Sequence, residues 1–268
     1  MLRLPEVDLH ANAKTWLNTW TTQIEQLTSF DDQVATAKSR FSSRNKKGNK
    51  TFDRVKVALT EMCPGARRCV YCEDNEADEV EHMRPKDLYP EEAFAWSNYV
   101  YACGRCNGHK SNHFAVFDVN GTEIDLTPPR PALSPRVPPV PGVHLFIDPR
   151  AEDPFGLLVV DPETGIAVPE PTRTTTEKRR AKYTLEIVNL NRDTLLKARR
   201  EAYGNYRARL IEYAEHKEHG TDQATLEALR SDLLDMAHPT VWAEMKRQRT
   251  MISNLMPLFE RVPEALDW

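Results

Sequence analysis

Two Cys-x-x-Cys pairs, Cys69/Cys72 and Cys103/Cys106, constrain this chain more than any other feature. Thiols at that spacing form a knuckle that turns two sulfurs toward one ion, and two knuckles complete a tetrahedral zinc site. Four thiolates leave no open position for substrate, so this zinc is expected to be structural. It would pin both ends of the intervening segment. The fifth cysteine, Cys63, is expected to be a free, half-buried thiol. Thiols that hold metal suit a reducing compartment. The segment Met1 to His10 lacks the apolar stretch of a signal peptide, and no apolar run reaches membrane-spanning length. A cytoplasmic protein without membrane contact is expected.

Between and after the knuckles lie polar groups that a structural module does not need. Glu81-His82 opens the set, Asn98 follows, and Cys106 runs straight into Asn107 with Lys110 one helical turn later. Cleaving a phosphodiester takes an activated water and compensation for charge on the phosphoryl group and the leaving oxygen. A neutral histidine at position 82 can accept the proton from that water. Glu81 and the Asn107 carbonyl oxygen can ligate Mg²⁺ or Mn²⁺. Asn98 would orient the loop or the histidine, and Lys110, on the same helical face as Asn107, could contact a phosphate oxygen. Adjacent strand residues point to opposite faces, so Glu81 and His82 can serve one site only where the strand ends or bends; Pro85 is consistent with such an end.

The pattern acidic-His, central Asn, Cys-x-x-Cys-Asn-x-x-Lys resembles the HNH, or ββα-metal, endonucleases. Glu stands here for the commoner Asp, and Asn107 for a terminal His. The resemblance implies His82 as general base, Glu81 and Asn107 as ligands of the catalytic ion, and Asn98 as the positioning residue. A narrower likeness rests on Cys69-x-Tyr-Cys72-Glu73, Glu81-His82-x-Arg84-Pro85-Lys86, Trp96 before Asn98, and Leu145-Phe-Ile-Asp148-Pro149-Arg150. These resemble the Septu-type (PtuB-like) and retron-associated HNH subunits of anti-phage systems. That likeness implies nucleic acid, DNA above all, as substrate and a PtuA-like ATPase as partner. No G-x-x-x-x-G-K-[ST] occurs, so nucleotide control would come from that other polypeptide. The competing reading is an inactive zinc-stabilised binding module. A zinc deaminase is excluded, since its signature pairs His-x-Glu with Pro-Cys-x-x-Cys, whereas here His82 is followed by Met83-Arg84 and Ala102 precedes the second knuckle.

The net charge of −4 means that any DNA contact must come from local basic patches. Two candidates are the stretch Lys38 to Lys56, with a loop expected at Ser42 to Gly48, and the cluster Arg173 to Lys182. The expected fold is α+β, a mostly α-helical chain around a small zinc-stabilised ββα (treble-clef-like) lobe. Four segments are expected: 1–62, N-terminal and helical; 63–120, the zinc lobe; 121–172, a proline-rich crossing segment with a short hairpin; 173–268, helical. Within them, apolar spacing gives a helix over Asn12 to Thr28 and another capped by Thr51. Strands are expected near Val80 to Met83, Tyr99 to Ala102, His144 to Asp148, and Leu157 to Asp161 paired with Ile166 to Val168. Asn191 is expected to cap a long helix, and the last helix to start near Pro239. Its Leu255, Met256, Leu258 and Phe259 are candidates for docking the partner, with ordinary intramolecular packing as the alternative.

Overall fold

A computed structural model describes residues 1–129 and 135–268. Pro131 of the proline-rich run lies outside the described residues. The chain opens with three helices, α1 Ala11–Glu25, α2 Phe30–Arg44 and α3 Lys50–Glu61. Ala13, Leu17, Trp20 and Ile24 are the buried stripe of α1. Helix α2 was not expected. Ser29 caps it, Asp31 and Asp32 sit in its first turn, and it carries the basic stretch as far as Arg44. The expected loop therefore shrinks to residues 45–49. Asn49 caps α3 through Oδ1, displacing Thr51, which is itself buried in the first turn.

The zinc lobe follows as β1 Glu79–His82, β2 Tyr99–Ala102 and α4 Gly104–Lys110. The strands pair antiparallel, with Glu81 opposite Val100 and His82 opposite Tyr99. This is the expected strand-loop-strand-helix order. A three-stranded sheet in the order β4-β3-β5 comes next, from β3 Ala115–Phe117, β4 Glu123–Asp125 and β5 Val143–His144. The expected strand His144 to Asp148 thus pairs only at its start, although Leu145, Phe146 and Ile147 are buried. The hairpin β6 Leu158–Val160 and β7 Ala167–Pro169 pairs as expected.

Helices complete the chain: α5 Thr175–Ile187, α6 Asp193–Glu218, α7 Gln223–Leu234, α8 Pro239–Arg247 and α9 Met256–Arg261. Arg192 takes the cap position of α6. Asn191 instead brackets Ala167, accepting from its N–H at 2.8 Å and donating to its carbonyl at 2.7 Å, which ties the hairpin to the helices. The single helix expected from Pro239 breaks after Arg247.

Buried apolar side chains from Met1 to Leu195 form one cluster, so the N-terminal helices and the zinc lobe share a core. Ala202 to Ala265 form a second. Leu255, Leu258 and Phe259 belong to that second core, which corrects their assignment as a docking face; Met256 remains half exposed. Glu73 joins the first knuckle to the C-terminal helices: Thr240 donates to it from its backbone N–H at 3.0 Å and from its hydroxyl at 2.5 Å. Among the described residues no helix is long and apolar enough to cross a membrane.

Two interactions hold the lobe. The four Sγ atoms of Cys69, Cys72, Cys103 and Cys106 lie within 4.8 Å of one another, and Cys72 and Cys103 are 3.9 Å apart. Tetrahedral zinc with Zn–S bonds of about 2.3 Å needs sulfurs about 3.8 Å apart, so the donor set fits. Asn75 Nδ2 and Arg192 Nη1 point N–H groups at Cys72 and Cys106 sulfurs, offsetting thiolate charge. The second interaction is a buried ion pair. Lys110 Nζ lies 2.7 Å from Glu81 Oε1 and donates to the His82 carbonyl at 2.7 Å. It locks α4 onto β1.

We predict that Cys103→Ser loses the zinc and unfolds the lobe, because metal binding and folding are one equilibrium in a site of this kind. Metal analysis and circular dichroism check it; a zinc-free wild type that is fully folded contradicts it. We also predict that Lys110→Ala destabilises the protein by about 3–5 kcal/mol, since Glu81 is left buried without its counter-charge. Urea unfolding with the zinc retained reads this, and a loss below about 1 kcal/mol, the scale of an exposed pair, contradicts it.

Candidate active site

One face of β1 and the first turns of α4 form the wall of a cavity of about 600 Å³. Alternation along a strand puts Glu79 and Glu81 on the same face, toward α4. Glu79 accepts from Asn107 Nδ2 at 2.6 Å, while Glu81 meets Lys110 one helical turn further on. Gly104 permits the approach: a Cβ there would stand 3.1 Å from Glu79 Oε1. The Asn107 amide spends an N–H on Glu79, which leaves Oδ1 as the atom it can offer a cation. Glu81 Oε1 is paired with the Lys110 ammonium at 2.7 Å. Glu79, Glu81 and Asn107 all line the cavity. Such an oxygen set fits a hard divalent cation.

His82 lines the same cavity from the opposite strand face. Its ring is held edge-on against Phe41, with centroids 4.4 Å apart, and against Tyr99 at 5.2 Å. Nε2–H donates to the Ala93 carbonyl at 2.9 Å, and the Tyr99 hydroxyl donates to the same oxygen at 2.6 Å. This fixes the tautomer: the lone pair is on Nδ1, which has no hydrogen-bond partner among the described residues. Burial, and after it the Lys86 ammonium, holds the imidazole well below its ordinary range. The ring is therefore neutral at pH 7, the form that accepts a proton. Burial pushes the Glu81 carboxyl up, against the opposing pull of Lys110.

Asn98 does not touch the histidine directly. Its Oδ1 accepts from Arg84 N–H at 2.8 Å, and its Nδ2 donates to the carbonyls of Arg84 at 3.0 Å and Glu92 at 3.1 Å. It closes the loop between β1 and β2 and so sets the position of Ala93. These bonds run to the loop backbone and not to the histidine.

The structure brings Glu81, His82 and Asn107 to one cavity and moves Lys110 elsewhere. Lys110 is fully buried, so its expected contact with a phosphate oxygen is corrected to a structural pairing with Glu81. His109 and His113 are occupied away from the cavity, near Asn189 and Thr127. Sequence reading missed Glu79, although its spacing of two from Glu81 on a strand was a usable signal. It also missed Phe41, which reaches the site only through tertiary packing of α2.

Of the two basic patches, the second is largely neutralised. Arg179 pairs with Glu123 at 2.5 Å, Arg180 with Glu152 at 2.5 Å, and Lys182 lies 3.8 Å from Glu186. In the first, Lys38 pairs with Asp87, and Arg44 stacks over Trp20 at 4.1 Å. Lys56 reaches the cavity.

Comparison with known proteins places this geometry. Residues 69–113 match the family model described as HNH endonuclease. The chain is also 47% identical over 64 residues to Septu protein PtuB of Bacillus thuringiensis. That stretch covers 22% of this chain and 24% of the relative, so the alignment spans about a quarter of each. The cysteine cluster and the ββα order thus fall within a stretch, residues 69–113, that matches the HNH endonuclease family, in a chain that is similar to Septu PtuB.

Proposed function

We propose that this protein is a metal-dependent endonuclease that hydrolyses phosphodiester bonds of DNA. The observation that carries the reading is His82, neutral and oriented by Ala93, on the same cavity as three oxygen-bearing side chains. Water attacks phosphorus in line with the leaving oxygen. Its proton passes to His82 Nδ1 as the new P–O bond forms and the bond to the leaving oxygen breaks. Glu79, Glu81 and Asn107 would hold Mg²⁺ or Mn²⁺, whose chemistry when bound would be compensation of the negative charge built up in the displacement. The leaving oxygen takes its proton from solvent. Asn98 keeps the β1–β2 loop closed, so that the Ala93 carbonyl stays on Nε2 throughout.

The similarity to Septu PtuB supports a place in an anti-phage defence complex, with a PtuA-like ATPase as the controlling partner. Co-expression with such an ATPase and size-exclusion chromatography should give a joint peak. Separate elution at micromolar concentration, with and without nucleotide, removes the partner from the proposal.

His82→Ala should stay folded and zinc-loaded yet cleave plasmid DNA about 10²–10⁴-fold more slowly in Mg²⁺ or Mn²⁺. Full activity in that variant contradicts the assignment. The base must be unprotonated to act, and its basicity is depressed. The acid limb of the pH–rate profile should thus fall below about pH 6.5, the ordinary imidazole value. A limb at or above that value contradicts a buried His82 as base.

A further inference from the structure

Lys110 is spent on Glu81, so the cavity needs another cation if it is to hold a phosphodiester. We propose that Lys86 is that cation: its ammonium contacts a non-bridging oxygen of the phosphate that His82 and the metal ligands act on. This rests on the nuclease reading above and adds a residue to it.

Lys86 lines the cavity beside His82. Its Nζ stands 5.2 Å from the centroid of the Phe41 ring, and that ring is the one packed 4.4 Å from His82. One aromatic side chain of α2 therefore spaces the cation from the base. The backbone under Lys86 is fixed on both sides. Asn98 clamps Arg84, and the Pro85 carbonyl accepts from the N–H groups of Leu88 and Tyr89, each at 2.9 Å. The acids nearest Lys86 are already engaged. Asp87 accepts from Lys38 on Oδ1 at 2.6 Å and from Asn112 on Oδ2 at 2.8 Å, and Glu81 is held by Lys110. Among the described residues Lys86 has no ion pair, although it is half-buried.

A half-buried ammonium without a counter-ion is costly unless an anion arrives to meet it. The Phe41 face offers only partial compensation. Lys56 also lines the cavity, but it rises from α3 and is not tied to His82 by a shared ring. A charge fixed beside the reacting phosphorus stabilises the transition state more than a mobile surface lysine does. Lys86 also lies within electrostatic reach of both Glu81 and His82.

The test uses the full-length zinc-loaded chain and a labelled DNA duplex. Binding is measured against salt without divalent ion in a His82→Ala background, with Lys86 intact, Lys86→Met or Lys86→Arg. Methionine keeps the packing on Phe41 and removes the charge. The slope of log K against log salt should fall by about 0.9 with Lys86→Met, the loss of one phosphate contact, and return with Lys86→Arg. With His82 restored, Lys86→Met should cleave about a hundredfold more slowly in Mg²⁺. If Lys86→Met does not fold, Lys86→Gln is read in its place. An unchanged slope in a folded variant overturns Lys86 as the phosphate ligand while leaving the nuclease reading intact. A wild type that neither binds nor cuts DNA overturns both.

Discussion

Four sulfurs within 4.8 Å of one another set the geometry on which everything else depends. Cys69 and Cys72 precede β1, and Cys103 and Cys106 begin α4, so one ion held by the four would join the entry of the hairpin to the helix that follows it. The segments are too short to hold themselves. Strands of four residues and a helix of seven have little stability alone. Metal binding would supply what local propensity does not. Once α4 is fixed against β1, side chains at alternate strand positions and successive helical turns meet in register, Glu79 with Asn107 and Glu81 with Lys110.

The two faces of β1 then divide the labour. The α4 face gathers oxygen donors and neutralises part of their charge through Lys110. The other face places His82 in an aromatic box of Phe41 and Tyr99, dry enough to keep the imidazole neutral. Both faces reach one cavity because β1 ends at His82 and the chain turns at Pro85. The N-terminal helices are part of this arrangement, since Phe41 belongs to α2 and packs in the same core as the zinc lobe.

How much of this could be read in the sequence depends on the range of the forces involved. The cysteine knuckles, Glu81-His82 and Asn107 were legible because ligand spacing and strand or helix periodicity are local. Helix α2 was not, because only Val34, Ala37 and Phe41 of its fifteen residues are buried and its polar surface hides the stripe. The burial of Lys110 was illegible for a different reason. Lysine is almost never buried without a partner, and that partner lies twenty-nine positions away in sequence, across a fold that the metal creates. Asn191 shows the same limit: its type suits a helix cap, yet a tertiary hydrogen-bond pair with Ala167 claims it.

In the proposed site, Glu79, Glu81 and Asn107 of the zinc-held lobe form a second, oxygen-lined cation site, separate from the four sulfurs. Calorimetric titration of Mn²⁺ into the zinc-loaded protein tests it most directly. One Mn²⁺ site per chain is expected, weakening about tenfold or more in Asn107→Ala and persisting in His82→Ala, with zinc content unchanged in both. No Mn²⁺ binding, or binding indifferent to Asn107, would contradict it.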